Sequence, residues 1–209
     1  AVYIASLHET HYEYAKYMLN NKKHVLCEKP AVLKKAQAEE LYSLAKENNV
    51  VFMEAVKTAY CPGFHAMMAA AKSGKIGRII DVEAAFSRLT PVNTREYMAQ
   101  DYNGSFLEFG SYVCMPVFEL LGCDYDDVRF HSMRAVNGVD AYTKAVFSFG
   151  GKSAEVKTGL GIKTEGQLLI SGTNGYILAK SPWWLTKEFE VRYEDANKRE
   201  VYKYSYDGS

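Results

Sequence analysis

No glycine-rich phosphate turn occurs anywhere in this chain of 209 residues: neither G-x-G-x-x-G nor a Walker-type G-x-x-x-x-G-K is present. Only glycine lets backbone amides approach a pyrophosphate closely, so no segment here cradles phosphates that way. Net charge is missing as well, with Lys+Arg and Asp+Glu both at 25. That balance argues against nucleic acid as the main partner, because phosphate binding needs a clustered basic surface. No apolar run approaches the ~20 residues of a spanning helix, which argues against a membrane partner. The four cysteines (Cys27, Cys61, Cys114 and Cys123) form no C-x-x-C and no Cys/His metal spacing. Reduced thiols, a cytoplasmic location and no metal are the expectations. These 209 residues open with Ala1 directly on an apolar stretch, and the expectation is that they include no initiator Met, signal peptide or leading loop.

What is there begins as strands and helices in alternation. Residues 1–6 (AVYIAS) are β-branched and apolar and stop at a small polar residue, which suits a buried strand of a parallel sheet. His11, Ala15, Met18 and Leu19 recur at helical spacing, with Asn20-Asn21 as a stop. Residues 25–27 form a second short strand. Leu41, Leu44, Ala45 and Asn48 then stripe a second helix, and residues 50–55 (VVFMEA) read as a third strand. The order β-α-β-α-β is half of a doubly wound nucleotide-binding fold. The other half of such folds carries the glycine turn, so the expectation is a fragment that binds a dinucleotide weakly or not at all and is inactive alone.

From residue 61 the composition changes. Pro62 opens a helix striped by Phe64, Met67, Met68 and Ala71 and ending at Gly74. Short β-type segments follow at 78–87, 127–136, 143–149, 153–160, 166–171, 176–179, 189–193 and 201–206. Signals such as Phe149-Gly150-Gly151 and Thr173-Asn174-Gly175 separate them. A large, mostly antiparallel sheet covered by helices on one face is expected, its other face free for a partner subunit. The 16 tyrosines suit a long sheet face or a carbohydrate-binding surface. The fold class is therefore α/β plus α+β: residues 1–60 as the later part of a dinucleotide-binding domain, and 61–209 as a substrate-binding and dimerisation domain.

Two places carry the chemistry. Strand 25–27 runs straight into Glu28-Lys29-Pro30, and open α/β sheets place ligands outside the carboxyl ends of their strands. Pro30 fixes its own φ and holds Lys29 extended. The plain alternative is a surface Glu-Lys pair before a loop. A helix over 105–121 buries Phe106, Gly110, Val113, Val117 and Leu121. Glu108 and Tyr112, four apart, share its opposite side, separated by about 40°. They are either a solvated carboxylate and an exposed phenol, or an acid–base group whose pKa a neighbouring ammonium pulls down from ~10.

Glu28-Lys29-Pro30 stands in an ordered series with three other blocks: Ala5-Ser6-Leu7-His8-Glu9-Thr10-His11, Glu54-Ala55-Val56-Lys57 with Tyr60-Cys61-Pro62, and residues 103–112 (NGSFLEFGSY). Together they resemble the Gfo/Idh/MocA family of NAD(P)-dependent oxidoreductases, most closely its dihydrodiol dehydrogenase-like branch. The resemblance implies NAD or NADP as cofactor. It puts Ser6, Leu7 and His8 at the nicotinamide end, Glu28 on the nicotinamide ribose, and Lys29 on both ribose and substrate hydroxyl. Tyr112 is then the proton acceptor, where many members carry histidine, and Glu108 matches an acidic residue one turn earlier. His11, Pro30 and Glu54 are further cofactor-side candidates, with His11 equally suited to the helix core; Lys57 is a substrate-side candidate. Leu7 stands where proline is usual, and Lys57 where the branch often has an aromatic or arginine side chain. Trp183-Trp184 offers a ring for stacking, and two neighbours on a strand face opposite ways, leaving one for packing.

The implied activity is hydride transfer between NAD(P) and a secondary alcohol of a sugar, polyol or cyclic diol, in a homodimer joined through the open sheet face. One alternative is a non-catalytic sugar- or nucleotide-sensing member of the same fold, in which a retained proton acceptor would have no use. Another is a dimerising or carbohydrate-binding sheet module, which leaves the β-α-β-α-β start unexplained.

Overall fold

The computed structural model describes residues 1–98 and 101–205. Tyr206, the last residue of the final expected strand, lies outside them, as do Asp207, Gly208 and Ser209. Strands β1 (Val2–Ile4), β2 (Val25–Cys27) and β3 (Phe52–Glu54) form a parallel sheet in that order. Helices α1 (His8–Asn20) and α2 (Lys35–Glu47) are the crossovers. They bury Ala15, Leu19, Leu41 and Ala45 against Ile4, Val25, Cys27 and Phe52. Strand side chains alternate between faces, so Tyr3, Leu26 and Met53 emerge on the opposite, exposed face. Residues 1–6 are thus covered on one side, not buried on both as the apolar run suggests.

The second sheet has eight strands in the order β11-β10-β9-β8-β4-β7-β6-β5. They are β4 (Ile79–Ser87), β5 (Asp127–Arg134), β6 (Asp140–Phe149), β7 (Lys152–Gly159), β8 (Leu168–Gly172), β9 (Gly175–Ala179), β10 (Glu188–Arg192) and β11 (Arg199–Lys203). Every pairing is antiparallel except β4 with β7. A parallel pair needs a long crossover, and this one contains helix α4 (Ser105–Leu121). With α3 (Pro62–Lys72), α4 covers one face. The strict alternation along β6 puts Ala141, Thr143, Ala145, Phe147 and Phe149 under the helices. Phe64, Met67, Val113, Val117, Val156, Ile170 and Trp183 complete that core. The other face carries a half-buried row, Val146, Glu155, Glu83, Leu169 and Leu178, in lateral register.

Trp183 and Trp184 do not lie on a strand. They occupy a 3-10 turn (Trp183–Leu185) after Pro182, so the two rings diverge at 81° rather than pointing to opposite faces. Trp183 is fully buried, its Nε1–H donating to the Ala85 carbonyl at 2.9 Å. Trp184 is half-buried and stacks on Phe86 at 3.7 Å, and Phe86 stacks in turn on Phe109.

Candidate active site

Parallel pairing aims the carboxyl ends of β1, β2 and β3 the same way. The ladder runs one residue past the strands, Glu28 N–H donating to the Ile4 carbonyl and Ala55 N–H to that of Cys27. Ser6, Glu28, Lys29 and Glu54 therefore gather at one edge of the sheet, and the Lys29–Pro30 peptide is cis.

Helix α4 meets this edge from the second sheet. Its start is anchored by Asp140 of β6, whose Oδ2 accepts from Ser105 Oγ (2.6 Å), Phe106 N–H (3.0 Å) and Thr143 Oγ1 (2.8 Å). Gly104, with φ of 130°, makes the approach possible. A Cβ there would sit 1.9 Å from Asp140 Oδ1. Held this way, α4 turns Glu108 and Tyr112 toward Lys29, and both are buried. Lys29 Nζ donates to Glu108 Oε1 at 2.8 Å and to the Glu108 carbonyl at 3.0 Å, and lies 6.0 Å from the centre of the Tyr112 ring. Phe86 abuts that ring edge-on at 5.2 Å.

The electrostatics correct the expectation for Tyr112. Burial, followed by the charges of Glu28, Glu108 and Glu54, pushes its phenol up to about 12 rather than down. The physical reason is first desolvation, which disfavours a buried phenolate, and then the three carboxylates of Glu28, Glu108 and Glu54, which oppose its charge. His8 donates its Nδ1–H to the Tyr102 carbonyl (2.9 Å), with Nε2 4.0 Å from Glu108 Oε2. Burial lowers its pKa, partly offset by the Tyr102 carbonyl and Glu108. A phenol kept protonated beside an ammonium can offer two hydrogen bonds to one substrate oxygen and hand it a proton.

The other candidates are placed as follows. The Ser6 hydroxyl bonds Thr10 Oγ1 at 2.6 Å, and Leu7 is exposed at the start of α1. His11 is fully inside, Nδ1 2.9 Å from the Pro30 carbonyl and Nε2 3.2 Å from that of Ser6. Glu28 Oε1 accepts from the Tyr3 hydroxyl. Lys57 opens a 3-10 turn and lines a cavity of about 340 Å³ with Tyr3, Leu26, Glu28, Ala55 and Tyr60. Glu54 faces the protein, its Oε1 accepting from Ala31 N–H and Ser111 Oγ. For a dinucleotide, the hydroxyl of Ser6, the carboxylate of Glu28 and the ammonium of Lys29 suit ribose hydroxyls, so the residues present fit its nicotinamide-ribose end. Ser111 and Asp140 were not foreseen. Ser111 stands beside Tyr112 in sequence, whereas nothing near Asp140 marks it.

Two family models match the chain: an oxidoreductase family with an NAD-binding Rossmann fold over residues 1–56, and the GFO/IDH/MocA C-terminal domain over 64–178. Scyllo-inositol 2-dehydrogenase (NADP(+)) IolU of Bacillus subtilis is 31% identical, the alignment covering 96% of this chain and 62% of that protein. Trans-1,2-dihydrobenzene-1,2-diol dehydrogenase of Xenopus tropicalis is 27% identical over 88% of this chain and 56% of its own. Among solved structures, KijD10, a 3-ketoreductase from Actinomadura kijaniata in complex with NADP and TDP-benzene, superposes with a TM-score of 0.82. It shares 22% identity, covering 97% of this chain and 64% of that one, and so speaks to the fold alone. The chain thus spans somewhat under two thirds of each of these proteins.

Proposed function

The chain belongs to the GFO/IDH/MocA family of oxidoreductases, and from that premise we propose that it serves hydride transfer between NAD(P) and a secondary alcohol of a sugar, polyol or cyclic diol. The bound nicotinamide supplies or accepts the hydride. The work of this chain's residues is to hold the reacting oxygen and move its proton. Tyr112 exchanges the proton with the substrate oxygen. Lys29, kept in place by Glu108, donates a hydrogen bond to the same oxygen and stabilises negative charge as it develops there. A phenol that stays protonated at neutral pH suits delivering a proton in the carbonyl-reducing direction. In the oxidising direction the ammonium beside it must stabilise the transient phenolate. Glu28 and Ser6 receive the nicotinamide ribose, and the Trp184–Phe86–Phe109 stack walls the apolar side of the substrate.

The observation that carries this reading is the meeting of Lys29 and Tyr112, 83 positions apart, at the carboxyl edge of a parallel sheet. Relatives whose names specify an inositol and a cyclic diol support the substrate class. We also take residues 1–60 and 61–209 as two domains, with the helix-free face of the large sheet joining two copies. The test is absorbance of reduced cofactor with scyllo-inositol, levoglucosan and trans-dihydrobenzenediol on full-length protein. Tyr112→Phe is expected to lower kcat about 100-fold or more while leaving cofactor affinity in place. A Phe variant turning over at the parent rate removes Tyr112 from the mechanism.

A further inference from the structure

The carboxylate of Glu54 joins the segment that carries Lys29 to the helix that carries Tyr112. One oxygen, Oε1, accepts from Ala31 N–H at 3.1 Å and from Ser111 Oγ at 2.8 Å. The Ala31 N–H belongs to the same peptide unit as the Pro30 carbonyl, and that carbonyl lies 2.9 Å from His11 Nδ1. The peptide immediately after Lys29-Pro30 is thus gripped from both sides, by an imidazole of α1 and by the last residue of β3. Ser111, the other donor, directly precedes Tyr112 on α4.

We propose that Glu54 is a positioning residue that registers the backbone carrying Lys29 against the helix turn carrying Tyr112, and that it does not itself contact the cofactor. The proposal rests on the Lys29–Tyr112 reading above and deepens it. Lys29 reaches α4 through its own flexible side chain, at Glu108, whereas Glu54 ties the main chain. A long side chain alone leaves its ammonium free to follow either partner. A second tie one helical turn further along α4 removes that freedom. Displacement of a reacting group by about 1 Å is enough to cost up to ~100-fold in rate.

The test uses full-length protein bearing Glu54→Ala, Glu54→Gln and Ser111→Ala. Glu54→Ala is expected to lower kcat about tenfold or more with the alcohol that the parent turns over, while NADPH affinity, read by cofactor fluorescence, stays within about twofold. Glu54→Gln keeps an acceptor oxygen for both donors and restores kcat to within about threefold. Ser111→Ala lowers kcat in the same sense and adds nothing to Glu54→Ala. NADPH binding weakened about tenfold by Glu54→Ala and not rescued by Gln would make Glu54 a cofactor contact and overturn the proposal, as would an unchanged kcat.

A readout without turnover separates this from failure of the functional reading. Acylation of Lys29 by an amine-reactive ester, quantified by mass spectrometry, is expected to speed up about fivefold in Glu54→Ala and Ser111→Ala but not in Glu54→Gln. Unchanged labelling in both variants sinks the strut even if the parent proves inactive. Faster labelling with an inactive parent leaves the strut standing and removes the dehydrogenase.

Discussion

Removing the Lys29 ammonium should unmask how dependent the buried Glu108 carboxylate is on it. The two side chains are 11% and 9% exposed, and Nζ lies 2.8 Å from Oε1. At an effective dielectric near 20, attraction at that distance is roughly 6 kcal/mol, and desolvating two ions offsets most of it. The intact pair therefore contributes little net stability, while either partner alone is a stranded buried charge. His8, 4.0 Å away, cannot replace Lys29 at neutral pH, because burial holds its imidazole toward the neutral form. Lys29→Met is expected to cost about 3–5 kcal/mol, or roughly 6–20 °C in Tm for a chain of this size. Glu108→Leu should cost somewhat less, since the Glu108 carbonyl that Lys29 also bonds remains. The double variant should lose only about 1 kcal/mol, several kcal/mol less than the two single losses summed. Urea unfolding followed by tryptophan fluorescence measures all four proteins, Trp183 being a fully buried reporter. Single variants that each lose under about 1 kcal/mol, with additive effects, would mean that the pair is solvated and the reasoning wrong.

Two further outcomes follow from the same geometry. Asp140→Ala leaves three donors without their acceptor and should cost about 2 kcal/mol, with faster amide exchange confined to the first turn of α4; uniform exchange along the helix would count against an anchoring role. The Tyr112 phenol, raised by burial and by Glu28, Glu108 and Glu54, should ionise near pH 12, read as phenolate absorbance of parent minus Tyr112→Phe. A raised acid favours the folded state while protonated, so its stability contribution is whole below pH 10 and lost as pH climbs toward 12; ionisation at the ordinary value would refute the burial argument.

Much of the architecture was readable along the chain because its causes are local. Apolar spacing at 3.6 residues marked α1, α2 and α4, the ring of Pro62 marked the start of α3, and the Gly150-Gly151 and Asn174-Gly175 turns marked two hairpins of the large sheet. The neighbouring motifs Glu28-Lys29-Pro30 and Glu108…Tyr112 were likewise visible as residue types at fixed intervals. Spacing says nothing about which distant segments become neighbours. The parallel pairing of β4 with β7, the Trp183–Trp184 turn and the Asp140 anchor all arise from contacts across 30 residues or more. Tyr112 illustrates the difference best. Its position and chemistry are written in the primary structure, but the sign of its pKa shift depends on how many carboxylates the folded chain gathers around one ammonium, and on how much water it removes. Charge interactions and desolvation act through space and dielectric environment, so they come into being only when the sheets and α4 have assembled.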